Sequence, residues 1–251
     1  YYLAIGKNYF IDGAEDAKTT KCAVYVKADV EHAIRVYGFK REDVFVVGNP
    51  DLIQFKLDES MVGSWVRPQI DKPSVMYIET GFSSVGLFFS SEEDFANHLI
   101  STSRSLAAQG FQMCLKLKPN ESNVHLIKKY LKETGIELVS NETFLPRLIA
   151  SSACITETTS LAIVPALVGM PLLLTKYGKL KSLSFGAILT SYPRGYLLED
   201  VTDVSNILLK DAQIYDISKV NAWIDLNLGP LPISKMPNRV VGVVEELIAN
   251  G

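Results

Sequence analysis

The chain has 251 residues, 47% hydrophobic and 21% charged, with 28 acidic against 25 basic side chains and a formal net charge of -3. That composition excludes a disordered or collagen-like polypeptide, and a pI of about 5.7 without a basic stripe argues against a nucleic-acid polymer as partner. The longest apolar run, Leu161 to Leu174, is broken by Pro165, Gly169 and Pro171, so no stretch approaches the roughly 18 residues needed to span a bilayer.

Tyr1 to Phe10 carry neither an initiator Met nor the features of a signal peptide, so the sequence reads as the middle or end of a longer chain. Cys22 to Val26 is a candidate strand, Asp29 to Tyr37 a helix capped by Asp29, and Val44 to Val47 a second strand ending in Gly48-Asn49-Pro50. Residues 1–52 are therefore expected to be the incomplete end of one α/β lobe, and the irregular 53–72, with Pro68, a linker. Residues 73–251 form a second domain, opening on the strand Ser74 to Ile78 and the turn Glu79-Thr80-Gly81-Phe82-Ser83-Ser84.

A helix over Glu92 to Gln109 places Phe95, Leu99, Ile100, Ser103, Leu106 and Ala107 on one face and stops at Gly110. The strand Phe111 to Leu117, the helix Asn123 to Thr134, the strand Ile136 to Val139 and a short helix near Phe144 to Ala150 follow. Then come the strand Ala153 to Thr156, the helix Thr159 to Val168 and the strand Leu172 to Thr175. Five strands alternating with helices predict a doubly wound parallel sheet, with terminal helices at Ser205 to Ala212 and Arg239 to Ala249. The last helix is expected to pack back across the boundary. Cys22, Cys114 and Cys154, an odd count without CxxC spacing, read as reduced core residues.

In open parallel sheets ligands bind beyond the carboxyl ends of the strands, which singles out three turns. In Glu79-Thr80-Gly81-Phe82-Ser83-Ser84 small and hydroxyl residues suit an anion, although an ordinary turn with a capping serine has the same composition. In Lys116-Leu117-Lys118-Pro119 alternation sends both lysines to one side and Pro119 ends the strand; the pair suits a phosphate, or a solvated edge. In Glu157-Thr158-Thr159-Ser160 four polar residues lie between apolar segments where capping needs one, and the helix start behind them favours an anion.

The string Thr158-Thr159-Ser160-Leu161-Ala162 through Gly169-Met170-Pro171 resembles the donor-binding helix and turn of glycosyltransferases with the two-lobed GT-B architecture. Lys21 to Pro50 is similar to the end of their acceptor lobe. The Lys-Pro turn with the Ser/Thr run resembles bacterial sialyltransferases, Kdo transferases and capsule polymerases. The resemblance implies an α/β fold with a Rossmann-like donor lobe and a partial second lobe. It implies a cytoplasmic, metal-independent transferase, without cofactor, that moves a sugar from a nucleotide-sugar donor to a surface glycan acceptor. Peripheral association with the inner face of a bacterial membrane, through segments or partners outside this sequence, goes with it. The implied donor-binding set is Glu79, Thr80, Gly81, Ser83, Ser84, Lys116, Lys118, Pro119, Glu157, Thr158, Thr159 and Ser160.

Two departures shape that reading. Lys118-Pro119 stands where CMP-sugar enzymes carry His-Pro, so binding rather than acid catalysis carries over. Val164 stands where nucleoside-diphosphate-sugar enzymes place a ribose-binding Glu, which weakens a UDP- or GDP-sugar reading and favours a CMP-activated sugar or another donor. No catalytic base is identified, and its place is expected on the other lobe. A sugar-nucleotide 2-epimerase and a non-catalytic nucleotide-binding lobe are the alternatives. His32, His98 and His125 lack metal-ligand spacing, and no metal site is expected. Tyr192 and Arg194 are candidates to border the sugar, and Lys176 to Lys181 a second anion contact.

Overall fold

The computed structural model describes residues 21–55, 57–80, 87–118, 128–132 and 134–250. Two parallel sheets organise them. The smaller pairs β1 (Cys22–Val24) with β2 (Val44–Val46), and the crossover helix α1 (Val30–Tyr37) packs Ala33 against Cys22 and Val24. A tight 3-10 turn at Lys27–Asp29 leads into α1, so Asp29 takes a helical backbone and its side chain makes no cap. Gly38 closes α1 at φ 70°, the left-handed conformation that glycine adopts without a Cβ penalty.

The larger sheet has six strands: β3 (Ser74–Ile78), β4 (Gln112–Lys116), β5 (Glu137–Leu138), β6 (Ala153–Thr156), β7 (Leu172–Thr175) and β8 (Gly195–Leu198). Their order is β5-β4-β3-β6-β7-β8, all parallel, and the order in which strands are added reverses between β3 and β6. Both faces are covered, so the central strands are continuous apolar runs; each fully buried Val, Leu or Ile contributes about 1.5–3 kcal/mol. Val75, Tyr77, Met113, Leu115, Ile155 and Leu173 point to one layer, and Met76, Ile78, Cys114, Cys154, Leu172 and Leu174 to the other.

The first layer is closed by α2 (Glu92–Ala108), which starts on a Ser91 cap, and by α6 (Val204–Ile214). Between these in sequence lie α3 (Phe144–Ile149), α4 (Ile163–Val168) and the single turn α5 (Ala187–Thr190). The buried face of α2 is Phe95, Ala96, Leu99, Thr102 and Leu106. Ala107, expected on it, is exposed, because the stripe continues from Leu99 through Thr102 rather than Ser103. The second layer holds α3, α4 and α7 (Ile217–Asn227), whose Val220, Trp223 and Ile224 are buried. The cysteines are free and buried.

The segment joining the sheets is fastened down. Gly63 N–H donates to the Leu167 carbonyl and Trp65 N–H to that of Val168, both at 2.9 Å. A Cβ on Gly169, at φ 91°, would stand 3.2 Å from the Gly63 backbone, so the close approach requires glycine. The helix α8 (Met236–Asn250) crosses to the small sheet, where Arg239 Nη1 donates to the Val47 carbonyl at 3.3 Å and Lys21 pairs with Glu246 at 3.0 Å.

Three further expectations change. Gly195–Leu198 is a sixth strand of the larger sheet, and Ile217–Asn227 a helix that sequence periodicity did not mark. The helix expected from Thr159 begins with a 3-10 turn, Ser160–Ala162, and becomes α-helical at Ile163. Pro165, which lacks an N–H, is thereby placed in the first α turn, where that donor is not needed. Of the expected helix Asn123 to Thr134 only 128–131 are described as helical. Among the described residues no helix is long and apolar enough to cross a membrane.

Candidate functional site

The order reversal between β3 and β6 opens a crevice at the carboxyl ends of the strands. A cleft of about 470 Å³ lies there, between the two sheets. Its floor and one wall come from Glu79 after β3, Lys116 and Lys118 at the end of β4, and Thr159 and Ser160 after β6. Asn141 and Phe144, after β5, complete that wall. The facing wall is Asn49, Leu52, Gln54 and Phe55, from the turn that follows β2.

Each polar side chain has a definite role. Thr159 caps the 3-10 turn, its Oγ1 accepting from Leu161 N–H at 3.3 Å. Ser160 is exposed in the cleft. Thr158, expected beside them, is turned outward, and its hydroxyl donates to the Ser184 carbonyl at 3.0 Å, outside the cleft lining. Lys116 is buried; its ammonium donates to the Leu117 carbonyl at 2.7 Å, and burial lowers its pKa while Glu79 and Glu142 oppose the shift. Lys118 is exposed, and its backbone N–H donates to the Glu79 carboxylate. Glu79 N–H in turn donates to the Lys116 carbonyl at 3.2 Å, so the ends of β3 and β4 are locked together.

Glu157, expected to contact the donor, is fully buried behind the cleft. Its Oε1 accepts from the Tyr77 hydroxyl at 2.9 Å, and its Oε2 from the Thr80 hydroxyl at 2.7 Å and Thr80 N–H at 3.3 Å. Burial pushes this carboxyl up to about 7, against the hydrogen bonds from Thr80 and Tyr77. Thr80 is thus held by Glu157 and does not line the cleft. Gly81, Ser83, Ser84 and Pro119 lie outside the described residues, as does His125.

Other sequence candidates fall elsewhere. Arg194 sits before β8, at the amino ends of the strands and so at the far rim from the cleft. It is buried, forks onto Asp211, donates to the Gly169 carbonyl at 2.6 Å, and lies 5.0 Å from the Trp65 ring and 4.0 Å from the Tyr215 ring. Tyr192 bonds the Met170 carbonyl at 3.0 Å on the same side. Both are structural, because the strand they precede enters the sheet there. The Lys176 ammonium is spent on the Lys181 and Leu183 carbonyls, and Lys179 pairs with Asp94. His98 stacks on Tyr177 with ring centroids 5.3 Å apart, and burial lowers its pKa to about 4. Among the described residues no group of three or more His, Cys, Asp or Glu is placed to hold a metal ion.

Sequence reasoning missed the facing wall and the Asn141–Phe144 corner. Asn141 carries the same signal as the other sites, a polar residue after a strand, but β5 is two residues long and gives little pattern. Asn49 was visible only as part of a strand-ending turn.

No protein-family model and no curated protein matches the sequence. Solved structures do. The S. aureus MnaA structure with UDP is 15% identical, with 89% of this chain covering 58% of that one at a TM-score of 0.52. The wall teichoic acid polymerase TagF is 14% identical over 92% of this chain and 59% of its own, TM-score 0.47. The GtfA/B complex is 13% identical over 89% and 44%, TM-score 0.45. The chain therefore spans between 44% and 59% of the length of these structures, and the likeness is one of fold. The fold is α/β: a Rossmann-like six-stranded parallel sheet joined to a second α/β unit built on a two-stranded parallel sheet, an architecture shared with these structures.

Proposed function

We propose that the chain binds the donor of a metal-independent glycosyltransferase, an enzyme that moves a sugar from a nucleotide-activated donor onto a surface glycan. The observation that carries this reading is the convergence of Lys116, Lys118, Thr159 and Ser160 on one cleft at the order reversal of the sheet. Cations and hydroxyls meeting there suit the phosphate of a nucleotide. They would meet the negative charge that grows on the leaving phosphate as the glycosidic bond breaks. The second wall, Asn49 to Phe55, follows β2 of the smaller sheet, the side from which an acceptor would approach in this reading. Val164 is wholly buried in the core and does not line the cleft, so no ribose-binding carboxylate is offered at that position; the preference for a CMP-activated acidic sugar rests on the resemblance alone.

Calorimetric titration with CMP, UDP and GDP tests the reading. Binding of CMP in preference to the other two, unchanged by EDTA, is expected. Preference for UDP would redirect the assignment to a nucleoside-diphosphate donor or an epimerase; MnaA, similar in fold, was solved with UDP. Failure of all three to bind a folded chain would overturn the nucleotide site.

A further inference from the structure

Glu157 is a buried carboxyl that the proposed donor chemistry does not use. Among the described residues no cation comes within ion-pair distance of it. Its partners are the three donors of Tyr77 and Thr80. Among the described residues the other ionisable groups facing it are few. Glu79, immediately beyond β3, opposes its charge, and Tyr177, beyond β7, faces Tyr77 while bonding the Thr102 hydroxyl of α2 at 2.9 Å. His98 of α2 stacks behind Tyr177 and is neutral at pH 7. Lys116, the nearest basic residue of β4, is drawn to Glu79 and Glu142. Glu157 and Glu79 therefore form a two-carboxyl backing to a cleft suited to an anion, with Glu79 in the lining and Glu157 behind it.

The carboxyl can change charge without moving. Ionised, it accepts from all three donors; protonated, Oε2 donates to Thr80 Oγ1 across the same 2.7 Å contact. Half-buried Thr80 links it to solvent.

We propose that Glu157 is a proton-linked positioning residue, which takes up one proton from solvent as a nucleotide phosphate enters the cleft and so removes the negative charge behind Glu79 and Thr80. The inference rests on the nucleotide-binding reading above. The only bond formed is the Glu157 O–H bond, and Thr80 stays tethered throughout. Because the carboxyl titrates near neutrality, the uptake is readable at ordinary pH.

Titrating the full chain with each of CMP, UDP and GDP in buffers of different ionisation enthalpy counts the protons. About half a proton per nucleotide is expected at pH 7, together with affinity that falls between pH 6 and pH 8. Glu157→Gln mimics the protonated acid, so the uptake should vanish, leaving only the small proton release expected as cations bind the phosphate dianion, and the pH dependence should flatten. Uptake that persists in the variant, or its absence in a wild type that binds, overturns the proposal. A folded wild type that binds no nucleotide at any pH overturns the nucleotide reading instead. Should circular dichroism show E157Q unfolded, Tyr77→Phe replaces it. Losing the donor on Oε1 raises the carboxyl further, so the midpoint of the affinity–pH curve must move up, and an unmoved midpoint overturns the proposal.

Discussion

The three hydroxyl residues after Glu157 divide into separable roles. Ser160 is exposed in the cleft, so Ser160→Ala removes the hydroxyl proposed to donate to the phosphate and little else. A hydrogen bond to a charged group contributes about 1.5–3 kcal/mol, which is about 10-fold to 150-fold in Kd. Thr159→Ala removes the cap on Leu161 N–H as well as a cleft hydroxyl. It should weaken nucleotide binding and also lower stability by about 1 kcal/mol, a Tm shift of about 2–4 °C at this chain size. Thr158→Ala cuts only an exposed bond to the Ser184 carbonyl, so affinity should stay within about 2-fold and stability within about 0.5 kcal/mol. Calorimetry with CMP, UDP and GDP beside thermal melts of the three variants reads both axes. The reasoning fails if T158A weakens binding as much as S160A, or if S160A binds like wild type.

Lys118→Ala, at the exposed rim, should weaken binding about 5-fold to 30-fold at low salt and less at 0.5 M, since exposed charges are screened; a loss insensitive to salt argues against a charge contact. For Glu157 the folded carboxyl, at about 7, lies above the ordinary value of 4.5, so its stabilising protonation is complete below pH 4.5 and is lost as pH rises through 7, by about 3 kcal/mol. His98, lowered from 6.5 to about 4, acts oppositely: the unfolded chain gains a proton that the folded chain refuses, so stability falls as pH drops from 6.5 to 4. The two slopes oppose each other between pH 4.5 and 6.5, so E157Q should expose the His98 decline in urea midpoints; curves superimposable on wild type would refute the assignment. Asp211→Ala leaves buried Arg194 unpaired and should cost about 3–5 kcal/mol, a Tm fall of about 6–20 °C, with nucleotide affinity unchanged because the pair lies at the far rim. Arg194→Met with Asp211→Leu should recover most of that stability, as measured by the same melts.

The parts of the fold legible in the sequence are those buried on two faces. Val75 to Ile78 and Leu172 to Leu174 are wholly or almost wholly buried, so their apolar runs are unbroken and mark strands without help from alternation. The edge strand β8 lacks that signature: Gly195 follows Pro193-Arg194, and Leu197 is 50% exposed. The helix α7 buries only Val220, Trp223 and Ile224, while Ile217 and Leu226 face solvent and blur its stripe. Propensity gave no sign that 53–72 would dock, because the contacts are backbone bonds from Gly63 and Trp65 to α4.

At the site, position after a strand identified which turns carry chemistry, but not which way each side chain turns. That choice is made by hydrogen-bond supply. Thr159 has the open Leu161 N–H in reach, Thr158 has the Ser184 carbonyl, and Glu157 has three donors waiting on its buried side, which leaves Ser160 for the cleft. Three of those partners, Ser184, Tyr77 and Thr80, lie far off in sequence, so no local pattern encodes the outcome. The facing wall is more distant still, with Asn49 more than one hundred residues before Ser160. It is held in place because the segment that leaves Phe55 is bonded at Gly63 and Trp65 to the end of α4, the helix whose opening turn presents Thr159 and Ser160. Both walls are therefore referred to one helix, and the width of the cleft depends on the glycine contact between Gly63 and Gly169 as much as on any residue that lines it.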